Sequence, residues 1–267
     1  MQAEPRETAL ITGASEGIGR ELARVFAVNG FDLVLVARSA ERLEQLAADL
    51  REEHGIAATA MPHDLTKPDA PHQLFEQVRS QGLHVDVLVN NAAVLESQAF
   101  ARTPPDRLAS LLALNVVALT ALTRLFVEPM VAAGRGRILN LGSVASFAPM
   151  PSLAAYAASK AYILSLTEAL SEELRGSGVS VTCCCPGFTR THMADQIAGV
   201  EKLKDVAPLL DPAEVARDAY RACMRGDVLR VPGIANQLFA RAVGLYPRSL
   251  VRWVGGALGR RAMREPD

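Results

Sequence analysis

Short runs of apolar and β-branched residues alternate along the chain with longer stretches in which apolar residues recur every three or four positions. The short runs predict buried β-strands and the longer stretches predict amphipathic helices. The predicted strands are Thr8–Ile11, Phe31–Val36, Ala57–Met61, Val85–Val89, Arg137–Leu141, Val179–Cys184 and Val228–Val231. The predicted helices cover about residues 17–29, 39–54, 68–81, 106–128, 156–176 and 211–225.

This alternation predicts an α/β fold, a doubly wound and mostly parallel sheet of about seven strands with helices on both faces. Helix caps agree, since Ser39 precedes one helical stretch and Asp211 followed by Pro212 opens another. Right-handed crossovers place ligands at the carboxyl ends of the strands. No repeat or linker divides the chain, so we expect a single domain over residues 1–267, with 233–267 as a C-terminal extension.

Composition narrows the possible functions. The chain has 267 residues, 49% of them apolar, a net charge of −1 and only 5% aromatic residues, which argues against nucleic-acid binding. The longest uncharged run, residues 108–123, is short and partly polar for a membrane span, so a buried interface helix is the better interpretation. The first residues lack the apolar stretch of a secretory signal. We therefore expect a soluble, cytoplasmic enzyme-sized domain.

The cysteines and histidines give no sign of a disulfide framework or a metal site. Cys183, Cys184 and Cys185 are consecutive in a β-like run, and Cys223 stands apart. This spacing is typical of small buried hydrophobic residues. The five histidines show no ligand spacing, so we expect no metal.

A glycine-rich turn, TGASEGIG at residues 12–19, follows the first predicted strand and leads into a helix. Glycines here let the backbone approach a pyrophosphate bound at the helix N-terminus. A simple tight connection is the alternative, but the position after the first strand favours dinucleotide binding. The predicted cofactor-binding residues of this turn are Gly13, Ser15, Glu16, Gly17, Ile18 and Gly19.

The end of the second predicted strand bears on the choice of nicotinamide cofactor. An acidic residue there would bind the ribose hydroxyls of NAD, but the sequence has Arg38 and Ser39 instead. A guanidinium and a hydroxyl suit a 2′-phosphate, so NADP(H) is favoured, with NAD(H) possible. A solvated arginine at a helix start is the simpler interpretation of Arg38, and Glu16 opposes NADP(H) if its carboxylate faces the phosphate.

Tyr156 and Lys160 lie one helical turn apart and therefore share a helix face. Lowering the pKa of a phenol from about 10 to about 7 takes roughly 4 kcal/mol. An ammonium about 4 Å away supplies about that much at an effective dielectric near 20. The pair therefore predicts an acid–base catalyst, although a Tyr and a Lys at this spacing usually have no such role.

The remaining motifs follow one another in a recognisable order: the glycine turn, Asn90-Asn91-Ala92-Ala93, Asn115, Ser143 and Tyr156 with Lys160. In this order the chain resembles the short-chain dehydrogenase/reductase family, in its single-domain form of about this length, over residues 7 to about 232. The resemblance implies a Rossmann fold and a nicotinamide cofactor. It implies a catalytic set consisting of Asn115, Ser143, Tyr156 and Lys160.

Each member of this set has an implied role. Tyr156 would be the general acid in carbonyl reduction and the base in the reverse direction. Lys160 would lower the pKa of Tyr156 and hold the nicotinamide ribose, and Ser143 would bind the substrate oxygen. Asn115 would organise a water that links Lys160 to solvent. Without the resemblance, Asn115 would be a buried amide and Ser143 a turn residue.

The resemblance also extends the cofactor site beyond the glycine turn. Asp64 and Leu65 would hold adenine, Asn90 would flank the adenosine ribose, and the segment after the sixth strand would cover the nicotinamide. The implied residues outside the turn are Arg38, Ser39, Asp64, Leu65, Asn90, Ala92, Tyr156, Lys160, Pro186, Gly187, Thr189 and Thr191. Ala93 departs from the glycine usual at that position and suggests slightly altered packing near the cofactor.

Substrate contacts are expected from three loops, residues 94–104, 144–155 and 188–210. Their apolar members indicate a small to medium hydrophobic ketone, aldehyde or alcohol. They are Val94, Leu95, Phe100, Phe147, Met150, Leu153, Phe188, Met193 and Ile197. Simple sealing of a pocket is the alternative role of such residues.

The extension at 233–267 mixes arginines with apolar residues and has acids only at Glu265 and Asp267. It is interpreted as a basic amphipathic element on an anionic membrane, a cover for the substrate pocket, or a subunit contact. The family resemblance implies a homodimer or homotetramer formed through the helices at about 106–128 and 156–176.

The main hypothesis is therefore an NADP(H)-dependent oxidoreductase that interconverts a hydrophobic carbonyl compound and its alcohol. The alternative is a catalytically silent nucleotide sensor or scaffold on the same fold, which would not need Ser143, Tyr156 and Lys160 together. An epimerase or dehydratase is disfavoured by the short substrate region.

Overall fold

Seven parallel strands form one sheet in the order β3-β2-β1-β4-β5-β6-β7 in a computed structural model that describes residues 6–197, 209–253 and 255. The strands are β1 Thr8–Thr12, β2 Asp32–Ala37, β3 Ala58–Pro62, β4 Val87–Asn90, β5 Gly136–Leu141, β6 Val179–Cys184 and β7 Leu229–Arg230. The order reverses between β1 and β4, and such a switch point opens a crevice at the carboxyl ends of the strands. The predicted α/β doubly wound fold is confirmed.

Helices cover both faces of this sheet. They are α1 Gly17–Val28, α2 Ala40–His54, α3 Ala70–Ser80, α4 Pro105–Leu112, α5 Leu119–Ala133, α6 Ala154–Glu173, α7 His192–Asp195, α8 Pro212–Arg225 and α9 Ile234–Leu245. Short 3₁₀ turns lie at Phe100–Arg102 and Val144–Ser146, and a π-helical segment, Ala113–Ala118, joins α4 to α5. The predicted helices are present, with ends shifted by a few residues.

The strands are apolar on both faces because each face is covered. In β1, Ile11 packs in the core under α1, α2 and α8, whereas its neighbour Leu10 packs in the core under α3 and α5. Side chains alternate between the faces with a period of two, so a fully buried strand has no polar face. The four cysteines are free and buried, as predicted.

One predicted helix ends later than expected. The helix expected to end near residue 128 continues through Pro129 to Ala133, because Phe126 and Met130 are buried in the core beneath the sheet and hold the last turn in place. Pro105–Ala133 is the one helix in the described chain that is long and apolar enough to cross a membrane. Its buried contacts with the sheet are those of a core helix.

Candidate active site

The glycine turn after β1 forms the floor of a cleft of about 590 Å³ at the carboxyl ends of β1, β2 and β4. Gly13 has φ +67° and Gly17 has φ +56°, a region that L side chains rarely adopt. A side-chain carbon at Gly19 would collide with the Gly13 carbonyl oxygen, so this glycine allows the helix to pack against the turn. The predicted residues Gly13, Ser15, Glu16, Gly17 and Ile18 line the cleft, and Gly19 supports it from behind.

Asn91, rather than Asn90, belongs to this cleft. The Asn91 side chain donates hydrogen bonds to the carbonyls of Thr12 at 2.9 Å and Gly13 at 3.2 Å, and it lines the cleft. The Asn90 side chain points into the core, where it donates to Thr123 Oγ1 at 3.0 Å and Asn140 Oδ1 at 2.9 Å. The Asn90 side chain therefore does not line the cleft, and the place of Asn90 beside the adenosine ribose stays a prediction.

The far end of the cleft carries the residues expected around adenosine. The predicted residues Arg38, Ser39, Asp64 and Leu65 line it, and Ala92 lines the cleft as well. A hydrogen bond from the Thr66 hydroxyl, at 2.7 Å, lowers the pKa of Asp64 below its ordinary value. This carboxylate is therefore ionised and oriented at neutral pH.

Arg42 is a cleft residue that the sequence analysis missed. Its guanidinium donates to Glu16 Oε2 at 3.2 Å, so Glu16 is paired within the protein. Arg38 is exposed at the same end and has no hydrogen bond or ion pair with another described residue. Since Ser39 caps α2 one turn before Arg42, the spacing of the two basic residues on this helix start was the available signal.

Ser143, Tyr156 and Lys160 meet in a smaller cavity of about 110 Å³ that adjoins the cleft. Ser143 follows β5 and caps the 3₁₀ turn, where its hydroxyl accepts from Ala145 N at 3.1 Å, and it lines the same cavity as Tyr156. Lys160 lies one turn after Tyr156 on α6, with Nζ 5.6 Å from the centre of the phenol ring. The structure thus brings together three of the four predicted catalytic side chains.

The pKa values of Tyr156 and Lys160 differ from those expected from the sequence. Burial raises the pKa of Tyr156 to about 12, and only the Ser143 hydrogen bond opposes it. Burial lowers the pKa of Lys160 to about 8. The expected net lowering of the Tyr156 pKa is not found, because desolvation of the buried phenol is the largest effect. The Lys160 ammonium donates to the Leu141 carbonyl at 2.7 Å.

Asn115 is buried in the π-helical segment and lines neither cavity. Its side chain accepts from Val94 N and donates to Val94 O, both at 2.9 Å, and it donates to Ser159 Oγ at 3.2 Å. Ser159 in turn donates to the Tyr156 carbonyl at 2.7 Å. In this structure Asn115 joins the loop after β4 to the catalytic helix.

Ser146 is a second residue that the sequence analysis missed. Its hydroxyl donates to the Lys160 carbonyl at 2.8 Å and accepts from Ser143 N at 3.4 Å. Cys185 Sγ lies 3.9 Å from the same hydroxyl. Ser146 therefore connects the turn that carries Ser143 to the helix that carries Lys160. The spacing Ser-x-x-Ser, typical of a reciprocal cap, was the available signal.

The predicted cover segment and most of the predicted substrate residues line the smaller cavity. Thr191 also lines the cleft, so the two spaces share a wall. The predicted residues found in the smaller cavity are Pro186, Gly187, Thr189, Thr191, Leu95, Met150, Leu153, Phe188, Met193 and Ile197. Val94 lines the cleft, Phe100 is 62% exposed, and Phe147 packs on a core cluster, so these three were misplaced. Residues 198–208 of the third loop lie outside the described chain.

These cavities fit a nicotinamide dinucleotide. The glycine turn can accept a pyrophosphate at the start of α1, where Gly13 and Gly17 line the cleft. Arg38, Arg42 and Asp64 would hold the adenosine end, and Thr189, Thr191 and Lys160 would hold the nicotinamide end.

Comparisons with known proteins agree with this geometry. The family model for short chain dehydrogenases matches residues 7–201. A very-long-chain 3-oxoacyl-CoA reductase of Phaeosphaeria nodorum is 37% identical over 196 residues, which cover 71% of this chain and 57% of that protein. The chain thus spans little more than half the length of this curated relative.

Two solved structures share the whole fold. A short-chain dehydrogenase from Sphingobium yanoikuyae, solved in complex with NADPH, is 33% identical with a TM-score of 0.80, covering 97% of this chain and 96% of that one. One from Burkholderia phymatum, in complex with NAD, is 26% identical with a TM-score of 0.81, covering 90% and 94%. The family match, the sheet order and the glycine turn together show that the chain belongs to the short-chain dehydrogenase family of NAD(P)-dependent oxidoreductases.

Proposed function

We propose that this protein is an NADP(H)-dependent oxidoreductase that interconverts a carbonyl compound and its alcohol on a small to medium hydrophobic substrate. The observation that carries the proposal is the placement of two hydroxyl residues, Ser143 and Tyr156, in the wall of one mostly apolar cavity that adjoins the nucleotide cleft. Bound NADPH would supply the hydride. A carbonyl oxygen placed between the two hydroxyls would receive hydrogen bonds from both.

The proton chemistry follows from burial. With its pKa raised to about 12, Tyr156 is protonated at neutral pH and is therefore ready to donate to the developing alkoxide. The Ser143 hydroxyl then stabilises the phenolate, and Lys160 lies beside it, with Nζ 5.6 Å from the ring centre. Leu95, Met150 and Phe188 exclude water from the reacting oxygen, which strengthens these interactions.

The experiment that tests this proposal is a substrate panel followed by NADPH absorbance. Long-chain aliphatic ketones, a 3-oxoacyl thioester and aromatic ketones probe the apolar cavity, and a hydrophilic sugar ketone is the negative control. The P. nodorum relative's name supports including the thioester. Turnover of an apolar ketone supports the proposal, whereas tight NADPH binding without turnover of any substrate would favour the nucleotide-sensor alternative.

The preference for NADP(H) is supported by Arg38 and Arg42 at the adenosine end, with Glu16 already paired to Arg42. Charge-assisted contacts to a 2′-phosphate are worth about 1.5–3 kcal/mol, so Arg38→Ala should weaken NADPH roughly 10- to 100-fold and leave NADH nearly unchanged. Arg20→Ala, at an exposed position of α1, is the control. Equal losses for both cofactors would overturn the preference.

We also propose a homodimer or homotetramer formed through α4, α5 and α6. Val117 is 58% exposed on the π-helical segment, and Leu112 and Tyr162 are exposed nearby. The Tyr162 hydroxyl hydrogen-bonds Thr120 at 3.0 Å, which joins the two helices into one surface. Light scattering should give a multiple of 28.5 kDa for the wild type and a smaller mass for Val117→Asp.

A cytoplasmic location remains a prediction, in which Cys183 and Cys185, whose sulfurs lie 3.5 Å apart, would stay reduced. Cell fractionation with a thiol-state assay tests it. Recovery of the native protein with these two cysteines as a disulfide would count against this location.

A further inference from the structure

The outer face of α9 is apolar, which reverses the usual arrangement of a helix on a globular protein. Ile234, Leu238 and Leu245 are 77%, 60% and 83% exposed. They lie at helical spacing on one side, because residues three, four and seven apart share a face. Burying such side chains would be favourable by about 1.5–3 kcal/mol each, so this face is suited to contact with an apolar phase.

The inner face of α9 carries polar or small side chains, which already contact the rest of the protein. Asn236 Nδ2 donates to the Pro232 carbonyl at 2.8 Å and Gln237 Nε2 donates to the Val231 carbonyl at 3.0 Å. Ala240 packs against the core cluster of β6 and α6. These contacts fix the orientation of the helix, so the apolar side cannot turn inward without breaking them.

The same surface continues beyond α9 and gains positive charge. Residues 248–253 are helical, and Leu250 and Trp253 are 41% and 68% exposed. Arg241, Arg248 and Arg252 are exposed among the apolar residues. Residues 233–253 contain no aspartate or glutamate. We call this set, Ile234, Leu238, Arg241, Leu245, Arg248, Leu250, Arg252 and Trp253, the tail surface.

The helix that carries the tail surface lies next to the substrate cavity. The Asn236 side chain packs directly against Gly187, which lines that cavity. Gly255 lies against the Pro149 carbonyl, next to Met150, which also lines the cavity. Asn236 and Gly255 therefore lie beside two parts of the cavity wall.

We propose that the tail surface docks the protein peripherally on an anionic lipid bilayer, with the substrate cavity next to the membrane. Exposed apolar side chains enter the acyl boundary while arginines face anionic headgroups, and a surface with both features and no acidic residue is complementary to such a bilayer. That substrate reaches the cavity from the bilayer rests on the proposed function; the docking itself does not.

Trp253 is the only tryptophan, so its emission reports on the tail surface without a label. The probes are vesicles of phosphatidylcholine alone and vesicles of phosphatidylcholine mixed with phosphatidylglycerol. We expect a blue shift and co-sedimentation with the mixed vesicles, much weaker with the neutral ones, and reversal by salt. Unchanged emission and no co-sedimentation with mixed vesicles at low salt would overturn the proposal.

Two double variants distinguish vesicle binding through the tail surface from an effect of the protein's net charge. Arg248→Gln with Arg252→Gln should weaken vesicle binding about 30-fold, since each arginine near an anionic surface contributes about 1 kcal/mol. Arg217→Gln with Arg221→Gln removes the same charge from the exposed side of α8 and should change binding less than about twofold. Equal losses in the two pairs would refute docking through the tail.

Two substitutions of exposed apolar residues test the apolar contribution to vesicle binding. Leu245→Gln should weaken binding, and Val28→Gln, at a 66% exposed position on α1, should not. A blue shift that depends on protein concentration without lipid would show instead that a second copy covers the tail surface, which would overturn the proposal. Because vesicle binding is measured without turnover, its failure is distinct from failure of the proposed activity.

Discussion

Replacing Ser146 with alanine tests whether the connection between the two catalytic segments sets the rate. The change removes the 2.8 Å bond to the Lys160 carbonyl and leaves the Ser143 amide without its 3.4 Å partner. A typical hydrogen bond contributes about 1 kcal/mol, and a partner left unpaired in a buried site costs about as much again, so the loss is about 2 kcal/mol. For a domain of this size this corresponds to a fall in Tm of about 4–8 °C.

The kinetic consequence differs from the loss of stability. If Ser146 positions Ser143 against Tyr156, kcat should fall about tenfold, the equivalent of about 1.4 kcal/mol, while the KM for NADPH is unchanged. Steady-state kinetics well below the melting temperature measures this. Ser171→Ala is the matched control, because Ser171 makes the same kind of bond, 2.7 Å to the Glu168 carbonyl, on the exposed side of α6. A kcat within about twofold of the wild type, with Tm lowered as expected, would refute the positioning role.

Four further outcomes are expected. Tyr156→Phe should lower kcat about 10²- to 10⁴-fold while NADPH binding, measured by fluorescence titration, is retained; undiminished turnover would refute the assigned acid. Because the pKa of Tyr156 is raised to about 12, the phenol stays protonated from about pH 6 to 9. Carbonyl reduction should hold over that interval and alcohol oxidation should rise steadily with pH, whereas an oxidation rate that is flat in initial-rate assays would contradict the raised pKa. Gly19→Ala should abolish nucleotide binding because the added carbon meets the Gly13 carbonyl, whereas Gly244→Ala, which meets nothing within 4 Å, should bind normally in calorimetry. Phe126→Ala should lower the free energy of unfolding by about 3–5 kcal/mol in urea titrations, since Phe126 is 3% exposed, and Phe100→Ala at 62% exposure should change it little; similar losses would contradict the burial argument.

Sequence patterns predicted the sheet well because its strands are buried on both faces and read as unbroken apolar runs. The strand expected at Val228–Val231 is shorter, Leu229–Arg230, since β7 is an edge strand that pairs only with Cys183 and Cys184. The π-helical segment at Ala113–Ala118 has no sequence signal of its own. It arises where Asn115 bonds the backbone of Val94, a contact between segments far apart in the chain.

The candidate site was predictable in its members but less so in its geometry. Spacing placed Tyr156 and Lys160 on one face of a helix, and the structure agrees. Spacing cannot show that the lysine ammonium donates to the Leu141 carbonyl, or that burial of the phenol raises its pKa instead of leaving it lowered. The choice between Asn90 and Asn91 likewise depends on where β4 ends, which is fixed by pairing with β1 and β5.

The residues expected to select the coenzyme and those expected to transfer the proton follow different strands and lie in different stretches of the chain. The residues at the adenosine end follow β2 and β3 and precede position 67, whereas Ser143, Tyr156 and Lys160 follow β5. Exchanging the short segment 36–42 for that of a relative with a different coenzyme preference would therefore leave the proton-transfer machinery untouched. Because the two sets of residues follow different strands, coenzyme preference and substrate range can be changed by separate substitutions.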